Sequence, residues 1–147
     1  MYNEKVNMKN YEFIKIFSDG GSRGNPGDAA SGIIIFDEKD KLLKINAKYL
    51  GEMTNNQAEY EALLTAIRMV QVMDVKNIKI YLDSELAVKQ LKGEFKINNN
   101  IIKQKKKILD KLFKKFECVE IFHIERGYNK FADKLVNIVL DAYSLKK

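Results

Sequence analysis

Four acidic residues fall at positions where a folded chain could bring them together. Asp19 and Asp83 each follow an apolar run, whereas Glu59 and Asp133 lie early in two segments of helical periodicity. If the two apolar runs are neighbouring parallel strands, their carboxyl ends place Asp19 and Asp83 side by side, and all four side chains can face one edge of the sheet. Clustered carboxylates repel one another, and their pKa values rise unless cations neutralise them.

Divalent cations are the natural partners of such a cluster. Two Mg²⁺ ions would balance four unit charges, and Mn²⁺ could replace them. Two oxygen-ligated ions about 3.5–4 Å apart clamp the attacking and leaving oxygens during phosphodiester cleavage. A zinc cluster is excluded, because the chain has one cysteine, Cys118, and one histidine, His123. The sequence therefore predicts an oxygen-ligated site for Mg²⁺ or Mn²⁺.

Each acidic residue also has an ordinary explanation. An acid early in a helix interacts favourably with the helix dipole, which is sufficient for Glu59 and Asp133. Asp83 followed by Ser84 is typical of a helix cap. Neither explanation accounts for Asp19, which is followed by a run of turn-forming residues at 20–27. We interpret Asp19 as the end of a strand and residues 20–27 as a glycine-rich loop that lets a large ligand approach the main chain.

The pattern around these residues predicts a mixed α/β fold. Apolar, β-rich runs predict strands at residues 11–17, 31–36, 41–50, 77–82 and 119–124. A Thr-x-x-Gln capping box at residues 54–57 begins the first of four predicted helices, and the others cover residues 84–91, 101–116 and 129–143. Short turns join the first three strands, and crossovers add the last two parallel to the first. We expect a mixed five-stranded sheet, three antiparallel strands plus two parallel, flanked by helices.

Length and composition predict a single cytoplasmic domain. The chain has 147 residues, of which 46% are hydrophobic and 31% charged. It has no apolar window of about 18 residues that could span a membrane. We expect residues 1–10 to be a disordered tail and residues 11–147 to form the domain. The single cysteine fits a reducing cytosol, and no obligate protein partner is evident, so we expect a monomer.

The basic charge of the chain is concentrated in one segment. The net charge is +6, and residues 87–115 hold ten lysines against two acidic residues, a local charge of +8. The rest of the chain has a charge of −2. This segment is either a binding surface for a polyanion or an ordinary solvated helix face.

Four segments together resemble the motifs of the type-1 ribonuclease H family. Residues 19–27 (Asp-Gly-Gly-Ser-Arg-Gly-Asn-Pro-Gly) are similar to its opening motif, and residues 54–59 (Thr-Asn-Asn-Gln-Ala-Glu) to its helix motif. Asp83-Ser84 resembles its third motif, and Asn129-x-x-Ala-Asp133 its last. The resemblance runs in order over roughly residues 11–143, and it implies the ribonuclease H-like fold.

The resemblance also implies a reaction and a set of site residues. Asp19, Glu59, Asp83 and Asp133 would hold two Mg²⁺ ions for hydrolysis of the RNA strand of an RNA–DNA hybrid, leaving 5′-phosphate and 3′-hydroxyl ends. The 2′-hydroxyl distinguishes RNA from DNA, and backbone and amide groups are suited to contact it. The implied nucleic-acid-binding residues are Gly20, Gly21, Ser22, Asn25, Thr54, Asn55, Asn56 and Ser84. Asn55 and Asn56 could instead only extend the helix cap.

The chain departs from the family pattern in three places. Many members carry a histidine in the loop before the last helix, but His123 lies in a predicted strand, where we interpret it as a packing residue. Arg126 occupies the loop instead, as in compact bacterial and archaeal members, and would hold a phosphate or assist product release. Glu85 stands where some members have a nucleic-acid-contacting glutamine. The separate basic protrusion of the family is not evident, and α-helical lysines such as Lys103 would supply part of the grip.

Two other functions remain open at this point. The chain could be a catalytically weak module that binds hybrids or double-stranded RNA, although all four acidic residues are present. It could also share the fold and metal chemistry of transposases and Holliday-junction nucleases. The Thr-Asn-Asn and Gly-Asn-Pro-Gly elements favour the family that reads 2′-hydroxyls.

Overall fold

The computed structural model describes residues 10–145, so the tail expected at residues 1–10 lies outside the described residues except for Asn10. In chain order the elements are strands β1 (Ile14–Gly24), β2 (Gly27–Asp37) and β3 (Leu42–Met53), helix α1 (Asn55–Gln71), strand β4 (Asn77–Leu82), helices α2 (Glu85–Leu91) and α3 (Asn100–Phe113), strand β5 (Cys118–His123), a 3₁₀ turn (Arg126–Asn129) and helix α4 (Lys130–Leu145). None of the helices in this range is long and apolar enough to cross a membrane.

The sheet has the predicted class and connectivity. Its five strands lie in the order β3-β2-β1-β4-β5. The β1–β2 and β2–β3 pairs are antiparallel, whereas β4 pairs parallel with both β1 and β5. The prediction of a three-stranded meander extended by two parallel strands is therefore confirmed.

Helices cover both faces of the sheet. Alternate isoleucines of the strands form the main core with α1, α2 and α3; they are Ile14, Ile16, Ile33, Ile35, Ile78 and Ile80. A smaller cluster joins Ala30 of β2 to Val136 and Leu140 of α4. Two glycines allow the helices to pack closely on the sheet. A Cβ on Gly20 would lie 2.0 Å from the carbonyl oxygen of Ala58 in α1, and a Cβ on Gly32 would lie 2.3 Å from the carbonyl oxygen of Ala132 in α4.

The prediction that β1 ends at Asp19 and gives way to a loop is wrong. The strand continues to Gly24, and residues 19–24 pair in register with β2, from Asp19 opposite Gly32 to Gly24 opposite Gly27. The hairpin turns at Asn25-Pro26. Glycine is required at position 20 because α1 crosses the strand too closely for any side chain. A glycine needed for this packing has the same sequence signature as a glycine in a loop.

Helix boundaries follow local capping chemistry. Thr54 caps α1 with the predicted capping box, in which its hydroxyl accepts from the Gln57 backbone and the Gln57 side chain accepts from the Thr54 backbone. Ser84 caps α2, and Asn99 caps α3, which begins at Asn100, one residue before the predicted start at residue 101. Residues 92–99 connect α2 to α3 without a further helix or strand, which agrees with a form that lacks the basic protrusion.

Candidate active site

Three acidic side chains meet where the pairing of β1 with β4 ends. The last paired residues of this ladder are Phe17 and Tyr81, so Asp19 lies just beyond it in β1, and Asp83 follows the last residue of β4. Glu59 reaches the same point from the second turn of α1. One carboxylate oxygen from each of Asp19, Glu59 and Asp83 lies within 4.8 Å of the other two. The predicted convergence of these three residues is therefore observed.

Asp133 lines the same cavity without belonging to this closest group. The cavity has a volume of about 290 Å³, and all four acidic residues line it. Asp133 lies in the first turn of α4, and its charge helps to raise the pKa of Asp19. A fourth carboxylate thus faces the site from the opposite side of the sheet to α1.

The environment of the cluster favours uptake of positive charge. Burial, and then the charges of Asp83 and Asp133, raise the pKa of Asp19 to about 6 although a hydrogen bond with Glu59 opposes this. Glu59 is only 4% exposed, and burial together with Asp19 raises its pKa well above the usual range. Burial also raises the pKa of Asp83. A hydrogen bond from Asn129 and the charges of Arg126 and His123 lower this pKa and partly offset the effect of burial. Without a cation, protons must neutralise part of this cluster.

The donor set fits a hard divalent cation. Glu59 Oε1 accepts a hydrogen bond from the Gly20 backbone at 3.2 Å. Its other oxygen, Oε2, is buried and, when both Glu59 and Asp19 are ionised, has no donor to accept from among the described residues. An unpaired carboxylate oxygen in a buried cluster is unfavourable unless a cation completes it. Carboxylate oxygens are the ligands that Mg²⁺ and Mn²⁺ prefer.

The residues implied to contact nucleic acid divide into those that line the acidic cavity and those that do not. Gly20, Gly21, Ser22, Asn55 and Ser84 line the acidic cavity. Thr54, Asn25 and Asn56 are engaged in internal hydrogen bonds: Thr54 caps α1, Asn25 Oδ1 accepts from the Asn55 backbone at 3.0 Å, and Asn56 Nδ2 donates to Gln90 Oε1 at 3.3 Å.

The hairpin tip is fixed against the start of α1. Asn55 Oδ1 accepts from the Ser22 backbone at 3.2 Å, and Asn25 accepts from the Asn55 backbone. The two segments that correspond to separate sequence motifs therefore form one surface beside the carboxylates.

Arg126 and His123 approach the site from the β5 side. Arg126 begins the 3₁₀ turn and lines the cavity. His123 lies in β5, as predicted, and is its last residue, but its side chain is exposed rather than packed, so the interpretation as a packing residue is wrong. Both residues act on Asp83 by lowering its pKa.

The sequence pattern does not indicate the contacts of two buried amides. The sequence identifies Asn129 only as the first residue of a motif, whereas in the structure it donates from Nδ2 to Asp83 Oδ2 at 3.2 Å. Gln90 belongs to no sequence motif, and in the structure its Oε1 accepts from both Asn56 and Tyr60. A glutamine and an asparagine that are 7% and 2% exposed would have been conspicuous only if burial had been known.

Comparisons with known proteins agree with this geometry. A family model described as reverse transcriptase-like matches residues 17–139. The ribonuclease HI of Halobacterium salinarum is 34% identical over 128 residues, which are 87% of this chain and 64% of that protein. The crystal structure of RNase H1 from the same archaeon superposes with a TM-score of 0.86 at 34% identity, covering 88% of this chain and 98% of that one.

The chain belongs to the type-1 ribonuclease H family. A second ribonuclease H of this group, LC11-RNase H1 in complex with an RNA/DNA hybrid, is 37% identical, with a TM-score of 0.84 over 88% of this chain and 98% of that one. The chain spans about two thirds or less of the curated relatives: 64% of the Halobacterium ribonuclease HI, and 36% of a bifunctional protein of Mycobacterium tuberculosis that is 29% identical.

Proposed function

We propose that this chain is an endonuclease that hydrolyses the RNA strand of RNA–DNA hybrids. The observation that carries the proposal is the buried meeting of Asp19, Glu59 and Asp83 within 4.8 Å, in a ribonuclease H fold. A relative with the same fold is known in complex with an RNA/DNA hybrid. We further propose a monomer acting in the cytoplasm, consistent with a single free cysteine.

The catalytic residues in this proposal are Asp19, Glu59, Asp83 and Asp133, which would hold two Mg²⁺ ions. The ions, when bound, supply activation of a water and stabilisation of the leaving oxygen, giving 5′-phosphate and 3′-hydroxyl ends. Asp19 is central because its pKa responds to each of the other three carboxylates. Glu59 contributes the unpaired Oε2, and Asp133 contributes charge from α4.

The neighbouring surface would position the hybrid. Gly20 and Gly21 line the cavity beside the carboxylates, where a sugar–phosphate backbone would approach the main chain of β1. The amides and hydroxyls of Ser22, Asn55 and Ser84 are suited to 2′-hydroxyls, which both donate and accept. Arg126 would hold a phosphate beside Asp83 through its guanidinium.

The lysine-rich segment provides long-range attraction for the duplex. In α3, Lys105 pairs with Glu61 and Lys106 with Asp110. Lys103, Lys107 and Lys111 are exposed. These three charges would attract the phosphate backbone, and binding should weaken as salt rises.

Cleavage of matched substrates tests the proposal. In Mg²⁺ or Mn²⁺, the wild-type protein should cut the RNA of a uniform hybrid and leave a DNA duplex of the same sequence intact. Asp19→Asn should abolish cleavage, whereas Asp74→Asn, an exposed aspartate with a left-handed backbone that asparagine also adopts, should retain it. Intact hybrid after incubation with ample Mn²⁺, together with tight hybrid binding, would identify a non-catalytic binding module instead.

A further inference from the structure

An arginine of the β1–β2 hairpin also lines the acidic cavity. Among the described residues, two cationic side chains line it, Arg126 and Arg23. Arg126 follows β5, whereas Arg23 lies in β1, four residues beyond Asp19 toward the hairpin tip. Residues four apart in a strand face the same side of the sheet, with Cα atoms about 13 Å apart. The cavity therefore has a positive charge on each side of the carboxylates.

Arg23 contacts helix α4 through one nitrogen. Its Nη2 lies 2.6 Å from Asp141 Oδ1 and donates to Asn137 Oδ1 at 3.2 Å. A guanidinium carries five N–H donors, so the three on Nε and Nη1 are not used in these contacts. Arg23 can therefore donate to a further acceptor inside the cavity.

The ion pair with Asp141 is weak enough to be exchanged. The two side chains are 44% and 69% exposed, and water screens an ion pair in this environment. The hairpin tip does not depend on the pair, because Ser22 and Asn25 are already hydrogen-bonded to Asn55 of α1. A phosphate is a stronger acceptor, since it can take two parallel N–H···O bonds from one guanidinium.

We propose that Arg23 binds a backbone phosphate of the RNA strand, on the other side of the scissile bond from Arg126. The inference rests on the proposed function, in which the RNA strand lies across the carboxylates and carries a phosphate on each side of the bond that is cut. Asp141 competes with this phosphate for the guanidinium and thereby lowers the affinity for the hybrid.

The salt dependence of hybrid binding tests the phosphate contact. Fluorescence anisotropy measures the Kd at several salt concentrations in an Asp19→Asn background, where the RNA stays intact. Arg23→Gln should weaken binding by about ten-fold, the effect of one hydrogen bond to a charged group. It should also reduce the slope of log affinity against log salt by about 1. Arg23→Lys keeps the charge, so it should retain the slope and lose only part of the affinity.

Arg68→Gln is the matched control for the loss of one positive charge. Arg68 is exposed in the last turn of α1, about 20 Å along the helix axis from Asn55. Since this exceeds the Debye length at physiological salt, Arg68→Gln should leave both the affinity and the slope nearly unchanged. Equal effects of Arg23→Gln and Arg68→Gln would overturn the inference.

Asp141→Asn tests the competition. It keeps the shape of the side chain and removes the charge that holds Arg23, so the hybrid affinity should rise by about two- to three-fold. This gain should disappear when Arg23 is glutamine, whereas a general effect of lost negative charge would persist in the double variant. If Asp141→Asn instead lowers affinity and kcat as Arg23→Gln does, the pair serves to hold α4, and the inference is overturned.

Neutral methylphosphonate linkages, placed one at a time in the DNA strand, identify the strand that Arg23 contacts. The loss caused by Arg23→Gln should persist at every position of this scan. Disappearance of the loss at one DNA linkage would assign the contact to the DNA strand and overturn the inference. An unchanged Kd and slope in Arg23→Gln, with wild-type protein that cleaves the hybrid, would overturn the inference alone. Wild-type protein that leaves the hybrid uncut in ample Mn²⁺ would overturn the proposed function and the inference with it.

Discussion

Asn129 donates a hydrogen bond from Nδ2 to Asp83 Oδ2 at 3.2 Å, and the same nitrogen donates to the backbone carbonyl of Ser18 at 2.9 Å. The residue is 2% exposed and ends the 3₁₀ turn that leads into α4. One amide therefore connects the strand that carries Asp19, the carboxylate after β4, and the helix that carries Asp133. Such outer contacts fix the direction of a metal-binding carboxylate.

Replacing Asn129 should weaken metal-dependent activity without unfolding the protein. Asn129→Ala frees Asp83 to rotate, and we expect the apparent affinity for Mg²⁺ or the cleavage rate to fall by about 10- to 100-fold. Titration of hybrid cleavage with Mg²⁺ measures both quantities. Asn98→Ala, an exposed asparagine in the α2–α3 connection, is the matched control. An unchanged Mg²⁺ titration in a folded Asn129→Ala protein would contradict this function of the amide.

The metal-free protein should lose stability as the pH rises. The pKa of Asp19 is about 6 in the folded state against an ordinary value of 3.8, so the folded state binds the proton more tightly than the unfolded state does. This contribution is fully present below about pH 4 and is lost as the pH rises through about 6, on the order of 2 kcal/mol. Urea unfolding in a chelator at several pH values measures it. Asp19→Asn should abolish this part of the decline, so parallel pH profiles for the two proteins would contradict the prediction.

The features of the fold that depend on short-range sequence pattern, namely the strands and the beginning of α1, could be predicted from the sequence. Alternating apolar residues predicted the five strands, and the Thr-x-x-Gln box predicted the beginning of α1, because side-chain period and capping are local properties. The convergence of Asp19 and Asp83 followed from parallel pairing alone. Helical spacing allowed Glu59 and Asp133 to face the same edge but explained them equally well as ordinary helix acids, and the family resemblance favoured the first interpretation.

The errors have long-range causes. The sequence predicts a loop at Gly20, but a glycine is needed there because the backbone of α1 at Ala58, 38 residues later in the chain, packs against it. The contact of Asn129 with Ser18 spans 111 residues. The periodicity of a short sequence window cannot predict such a contact. The exposure of His123 also depends on long-range structure, because β5 is an edge strand of the sheet.

Gly20→Ala should be strongly destabilising. A Cβ at this position would lie 2.0 Å from the Ala58 carbonyl oxygen and 2.5 Å from the Glu59 backbone nitrogen. Because both atoms are backbone, relief requires moving α1 away from β1, and we expect a loss of about 3 kcal/mol or more in the free energy of unfolding. Chemical denaturation measures this loss. Gly127→Ala, where a Cβ would meet nothing within 4 Å, should change stability by less than about 0.5 kcal/mol, and equal effects at the two positions would refute the packing explanation.

Thr54→Ala should affect both stability and hybrid binding, because the cap of α1 directly precedes Asn55, which the proposed function places against the hybrid. The Thr54 hydroxyl accepts from the Gln57 backbone at 3.2 Å, and Gln57 Oε1 accepts from the Thr54 backbone at 3.0 Å. Loss of the first bond should cost about 1 kcal/mol of stability, and fraying of the first turn should raise the KM for the hybrid more than it lowers kcat. Thr54→Ser keeps the hydroxyl and should behave like the wild type, while Thr65→Ala in the middle of α1 controls for loss of a threonine. A Thr54→Ala protein with normal KM would show that the first turn of α1 stays ordered without its cap.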